Sequence, residues 1–158
     1  SVSRVAADVG ITRQTLYRYF TDSDDLLRQV EARVGSGLVE RMLAHCQRRG
    51  SPEEQFAETL VYLACEVPKD RVLRRYFQPE NAATVFSEIA IDYSLRYLQR
   101  LLGSWPEGLT EDKRRGVAEV FLRLLFSMIF VPRSQEATRA FVDAHFRPLI
   151  RFWFEEGA

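Results

Sequence analysis

Cysteine, histidine, methionine and tryptophan are scarce in this chain, with two of each in 158 residues. Cys46 and Cys65 fall in no metal-ligand spacing and read as ordinary thiols of a reducing compartment. Zinc fingers, disulfide scaffolds and secreted mini-proteins are thereby excluded. His45 and His145 stand far apart and in no arrangement such as HExxH. The first reads as a surface histidine and the second as an amphipathic helix position. A glycine-rich phosphate loop and a GxSxG elbow are also missing. Catalysis has no positive support, and neither cofactor nor metal is expected.

Excess charge of one sign is lacking too. Twenty-two Lys and Arg balance twenty-two Asp and Glu, so bulk charge points to neither a polyanion nor a membrane surface. The longest apolar stretch, Val117 to Val131, is interrupted by Glu119 and Arg123 and falls short of a bilayer span. No charged start leads into an apolar run as in a signal peptide. The expected setting is the cytoplasm, with no membrane partner. Internal repeats, low-complexity tracts and alternating polar–apolar runs are absent.

What remains is 46% apolar and 28% charged, the make-up of one folded domain or of two small ones sharing a core. The segments between prolines and glycines carry helical periods, so the expected class is all-α. A short helix over about Ser3–Val9 stops at Gly10. Thr12 caps a second over Arg13–Tyr19. Asp22 or Ser23 then caps a long helix to Arg49 with the stripe Leu27, Val30, Val34, Leu38 and Met42. Gly50-Ser51-Pro52 opens a fourth helix that buries Phe56, Leu60, Leu63, Ala64 and Val67. A short basic helix covers Asp70–Tyr76. The next stripe is Phe86, Ile89, Tyr93, Tyr97 and Leu101, closed by Gly103 and Pro106. Thr110 starts a helix apolar nearly all round from Val117 to Val131. A last one runs over about Gln135–Glu155 and is expected to bend or end at Pro148, which lacks a backbone N–H. Glu53-Glu54 and Asp24-Asp25 sit at helix starts, where the helix dipole favours acids.

The first two helices have the spacing of a helix-turn-helix, whose second helix enters the major groove. Val5, Ala6, Val9, Ile11, Leu16 and Phe20 supply its small core. The exposed remainder of the second helix is Arg13, Gln14, Thr15, Tyr17, Arg18 and Tyr19, a set with donors, acceptors and no acid. Residues 1–20 hold three arginines (Arg4, Arg13, Arg18) against one acid, Asp8. A basic reading end on a mildly acidic body fits the footprint of a DNA reader.

The run Val5-Ala6-Ala7-Asp8-Val9-Gly10-Ile11-Thr12-Arg13-Gln14-Thr15-Leu16-Tyr17-Arg18-Tyr19-Phe20, followed by Leu26-Leu27, resembles the tetracycline-repressor (TetR) family of bacterial transcription regulators. The resemblance covers about residues 1–30, the expected DNA-binding domain, and leaves 31–158 as a helical ligand-binding and dimerisation domain. Family members carry one more helix before this point, so material is expected upstream of Ser1. By the resemblance, Arg13, Gln14 and Thr15 match positions facing base edges, and Ser3 matches one on the preceding helix. Arginine pairs with guanine and glutamine with adenine through two hydrogen bonds each. Tyr17 and Tyr19 match phosphate-contacting positions. Ser1 and Thr12 place hydroxyls near helix N-termini, where phosphate is favoured, or act as caps. Arg18 suits either job. Where the family has a phosphate-contacting lysine, this chain has Ser23, followed by two acids.

A helix apolar on every side must be covered on every side. The last two helices, about 110–131 and 135–155, are therefore expected to form a homodimer, with a tightly covered monomer core as the alternative. The resemblance also implies a pocket for a small, largely apolar molecule but does not choose its lining. The stripe Phe86, Tyr93 and Tyr97, with Tyr62, Phe121 and Phe126 on helices that could face it, reads as candidate lining or as aromatic core. Gly35-Ser36-Gly37 interrupts the long helix between the two parts. It reads as a hinge between reader and sensor, or as a close helix contact. The combined expectation is a repressor released from a palindromic operator by its ligand. The alternative is a helical ligand- or protein-interaction module whose helix-turn-helix no longer reads DNA.

Overall fold

A computed structural model describes residues 2–48 and 50–155 of the chain. The described residues are all-helical and contain no strand, and no helix among them is long and apolar enough to cross a membrane. In chain order the helices are α1 Val2–Asp8, α2 Arg13–Tyr17, α3 Ser23–Cys46, α4 Pro52–Glu66, α5 Arg71–Tyr76, α6 Ala82–Val85, α7 Glu88–Leu102, α8 Glu111–Phe130, α9 Gln135–Phe141 and α10 Arg147–Glu155. Short 3₁₀ turns precede α5 and α6.

Local chemistry sets most boundaries. Asp22 caps α3, its carboxylate accepting the Asp24 and Asp25 N–H groups, so the cap is Asp22 and not Ser23. Ser51 and Glu54 form a reciprocal capping box at α4, with Pro52 in the first turn. Thr110 caps α8. Gly103 closes α7 at φ 73°, a left-handed conformation that suits glycine.

α4 is the centre of the body and packs against α3, α7, α8, α9 and α10. Phe56, Leu60, Leu63, Ala64 and Val67 are buried, as the spacing predicts. Phe56 meets Phe121 of α8 edge-on at 5.4 Å and Trp153 of α10 at 5.9 Å. These contacts join three helices through apolar surface.

Three expectations need correction. On α3, Val30 is exposed, and burial is complete only from Leu38 onward, where α4 and α7 cover the helix. On α7, the buried face is Ile91, Ser94, Tyr97, Leu98 and Leu101. Phe86 precedes the helix, while Ile89 and Tyr93 face outward, 79% and 42% exposed. The face was chosen by α8, which packs along α7, together with α4 and α3. The last helix does not end at Pro148. It passes from α9 through a π-turn, Val142–Phe146, into α10, so the proline falls at the second α10 position just after the change of register. Glycine at 35 and 37 is not demanded by packing. A Cβ at Gly35 would meet nothing within 4 Å, and one at Gly37 only the Arg41 guanidinium at 3.5 Å.

Candidate nucleic-acid interface

The front end is built around one turn. Gly10 adopts φ 71°, outside the range of most side-chain-bearing residues. Its N–H donates to the Ala7 carbonyl and that of Ile11 to the Ala6 carbonyl, the crossed pair of a Schellman motif that ends α1. Two residues later Thr12, in extended conformation, accepts the Thr15 N–H at 3.0 Å and starts α2. The Thr12 and Thr15 hydroxyls also share a hydrogen bond of 2.9 Å, so each is engaged within the protein.

Ala6 and Leu16 are the fully buried residues of this unit, with Phe20 half-buried. Val5, Val9 and Ile11, expected in its core, are exposed at 41%, 62% and 39%. Two helices of seven and five residues, packed on each other, do not enclose more.

α2 presents Arg13, Gln14, Tyr17 and Arg18 to solvent, with Thr15 half-buried beside them. Tyr19 follows the helix and is 67% exposed; Ser3 is exposed on α1. Ser1, the other expected contact, lies outside the described residues. The exposed residues form two arginine–tyrosine pairs. The Arg13 guanidinium lies 5.4 Å from the Tyr17 ring centroid, and that of Arg18 lies 5.8 Å from Tyr19. In the first pair Arg13 Nη2 also donates to the Tyr17 hydroxyl at 3.5 Å, while the Arg18 guanidinium is held by the ring contact alone among the described residues. No carboxylate pairs with either arginine among the described residues.

Acids gather one turn away. Asp24 is exposed at the start of α3, while the Asp25 carboxylate accepts the Thr21 N–H at 2.9 Å. That hydrogen bond, helped by Gln29 and Arg28, lowers the Asp25 pKa below the ordinary carboxyl value. The pair thus serves helix start and turn.

The six aromatics of the expected pocket separate into three groups. Tyr97 and Phe121 are buried in the core with centroids 5.8 Å apart. Burial pushes the Tyr97 phenol well up, and its hydrogen-bond partner is Ser94. Tyr93 touches Tyr97 from the exposed side at 6.2 Å. Phe86 and Phe126 pack on each other at 5.2 Å under the Arg123 guanidinium. Tyr62 stacks on His45 at 5.0 Å, on α4 and α3. A cavity of about 70 Å³ lies elsewhere, lined by Ser127, Met128, Val131, Arg133, Thr138 and Phe141. It is small beside the ~300–1,000 Å³ of ordinary ligand sites.

One cluster escaped the sequence reading. Glu58, buried at 6% exposure on α4, accepts from His45 Nε2 at 2.8 Å and from both Nη atoms of Arg139 at 2.7 and 3.1 Å. These bonds tie α3, α4 and α9 together, and they raise the Arg139 pKa. A lone acid between Phe56 and Leu60 was the available signal. His45 is therefore a bonded residue and not a plain surface histidine.

No protein-family model, curated protein or solved structure matches the chain.

Proposed function

We propose that this chain is a sequence-specific DNA-binding transcription regulator of the tetracycline-repressor type, acting as a repressor that a small molecule releases from a palindromic operator. The observation that carries the reading is the α2 face: a Thr12-capped helix presenting Arg13, Gln14, Tyr17 and Arg18, with no carboxylate paired to either arginine among the described residues. Such a face suits base edges and phosphates.

Dimerisation through α8 and the last helix is part of the proposal. Phe130, Val131 and Phe152 are exposed at 54%, 61% and 51%, beside half-buried Val120, Leu124, Phe141 and Leu149. A second copy is the common cover for such a face. The ligand part rests on the family resemblance. Because Phe86 and Phe126 pack on each other, the ligand would bind a conformation in which that contact opens, and would shift the population toward it. Gly35 and Gly37 are candidates for the joint that transmits the change. Gly35→Ala/Gly37→Ala is expected to raise thermal stability, by about 1 kcal/mol per glycine. It should also blunt ligand release of DNA, which anisotropy reads; unchanged release would remove the hinge from the mechanism.

Fluorescence anisotropy on duplexes selected from a random library tests the reader. Arg13→Ala and Gln14→Ala should each cost roughly 5- to 150-fold of sequence preference per half-site, the worth of one bidentate base contact. The dimer, measured by sedimentation, should stay intact. Unchanged preference would overturn the site assignment. A second reading, a helical interaction module that no longer reads DNA, is favoured by Asp24, exposed at the start of α3 near Ser23. Its signature is the same weak binding to every duplex.

A further inference from the structure

The α5 segment carries four basic residues, Lys69, Arg71, Arg74 and Arg75, against one acid, Asp70. Two of these five are already engaged. Lys69 pairs with Glu66 at 2.5 Å, and Asp70 caps α5 by accepting the Val72 and Leu73 N–H groups. Arg71, Arg74 and Arg75 are exposed, and none has an ion-pair partner among the described residues. Helix stability accounts for only part of this. Cations suit the last turn, where Arg74 and Arg75 lie, but Arg71 opens the helix at its positive end.

The fold puts α5 beside the helix that follows the reading head. α5 packs on α3, with Leu73 buried in the same core as Leu38. Tyr76, at the end of α5, is pushed up by burial and by the nearby charge of Glu31. Glu31 is eight residues from Ser23, about 12 Å along the helix at 1.5 Å per residue. The end of α5 thus lies beside the half of α3 that follows α2 in the chain. No aromatic ring is interleaved between Arg71 and Arg75, so the surface suits a phosphate backbone better than unstacked bases.

We infer that Arg71, Arg74 and Arg75 form a second, sequence-independent contact surface for the phosphates of duplex DNA flanking the segment that α2 reads. The inference rests on the DNA-reading proposal for its partner, and it assigns the surface a separable role. α2 supplies preference; α5 supplies charge neutralisation. Each phosphate contact releases counterions and steepens the salt dependence without discriminating between bases.

The test is Arg71→Gln/Arg74→Gln/Arg75→Gln in the full chain, which leaves the Asp70 cap and buried Leu73 in place. Binding is measured over a salt series on a duplex selected by the wild-type protein and on a scrambled duplex of equal length. Loss of the three contacts from each protomer of the dimer, six in all, lowers the slope of log affinity against log salt by about 5.4, which makes the fall in affinity between 50 and 200 mM salt about 1,800-fold smaller. That change is expected on both duplexes, with the selected-to-scrambled ratio unaltered. An unchanged slope on both overturns the inference, as does a loss confined to the selected duplex. Arginine-dependent binding to phosphatidylglycerol vesicles with an unchanged duplex slope also overturns it. If the wild type prefers no sequence, the reader proposal fails, and the slope on scrambled duplex still decides the role of α5.

Discussion

Phe121→Ala should lower the stability of the folded chain by about 3–5 kcal/mol, the range for truncating a fully buried phenylalanine. Phe121 has no solvent exposure, and its ring is gripped from two sides. Phe56 of α4 meets it edge-on, and Tyr97 of α7 meets it at 67°. Removing the ring opens a void where three helices converge, and Phe56, itself fully buried, cannot move in without leaving Trp153. The measurement is the denaturant midpoint at constant slope. Tyr93→Ala is the comparison. Tyr93 belongs to the same aromatic group but is 42% exposed, so its truncation should cost under about 1 kcal/mol. Equal costs for the two would mean that Tyr93 is covered, as in a pocket or an interface.

Arg139→Ala is the second large effect, expected at about 2–3 kcal/mol. Glu58 is almost wholly removed from water, and Arg139 supplies two charge-assisted hydrogen bonds to it from a helix 81 positions away in the chain. Taking the arginine away leaves a buried carboxylate with less compensation, which costs more than the pair itself contributes. The value sits below the 3–5 kcal/mol of fully buried pairs because Arg139 is 40% exposed and His45 still bonds to Glu58. The sharper test is the double variant. Glu58→Gln/Arg139→Ala should recover about 1 kcal/mol or more of what Arg139→Ala loses, because a neutral amide needs no cation. Additive losses would mean that the arginine acts through packing and not through the charge of Glu58. Since the cluster ties α3 to α9, the same variants report whether the connecting helix stays locked to the body.

Much of the architecture is legible in the sequence. Thr12, Asp22, Ser51-Pro52, Thr110 and Gly103 mark helix ends by chemistry that acts within three or four residues, and the structure uses each of them. The α4 stripe was legible as well, because a helix packed against five others buries most of the apolar positions its spacing offers. The acid-free exposed face of α2 is likewise a property of the seven consecutive residues 13–19.

The tertiary structure decided what depends on partners far along the chain. α7 carries enough apolar residues for two overlapping faces, and the positions of α8, α4 and α3 select Ile91, Leu98 and Leu101 over Ile89 and Tyr93. The candidate aromatics were grouped by helix spacing, yet they pack on each other in separate places because side chains fill space with whichever neighbour arrives. Glu58 shows the same limit from the polar side. Its burial is permitted by His45 and Arg139 on two other helices, and no local pattern connects the three. Sequence by itself determined where helices start and stop, since caps and turns are short-range hydrogen bonds. Tertiary structure decided which faces meet, since burial is a property of the whole packed chain.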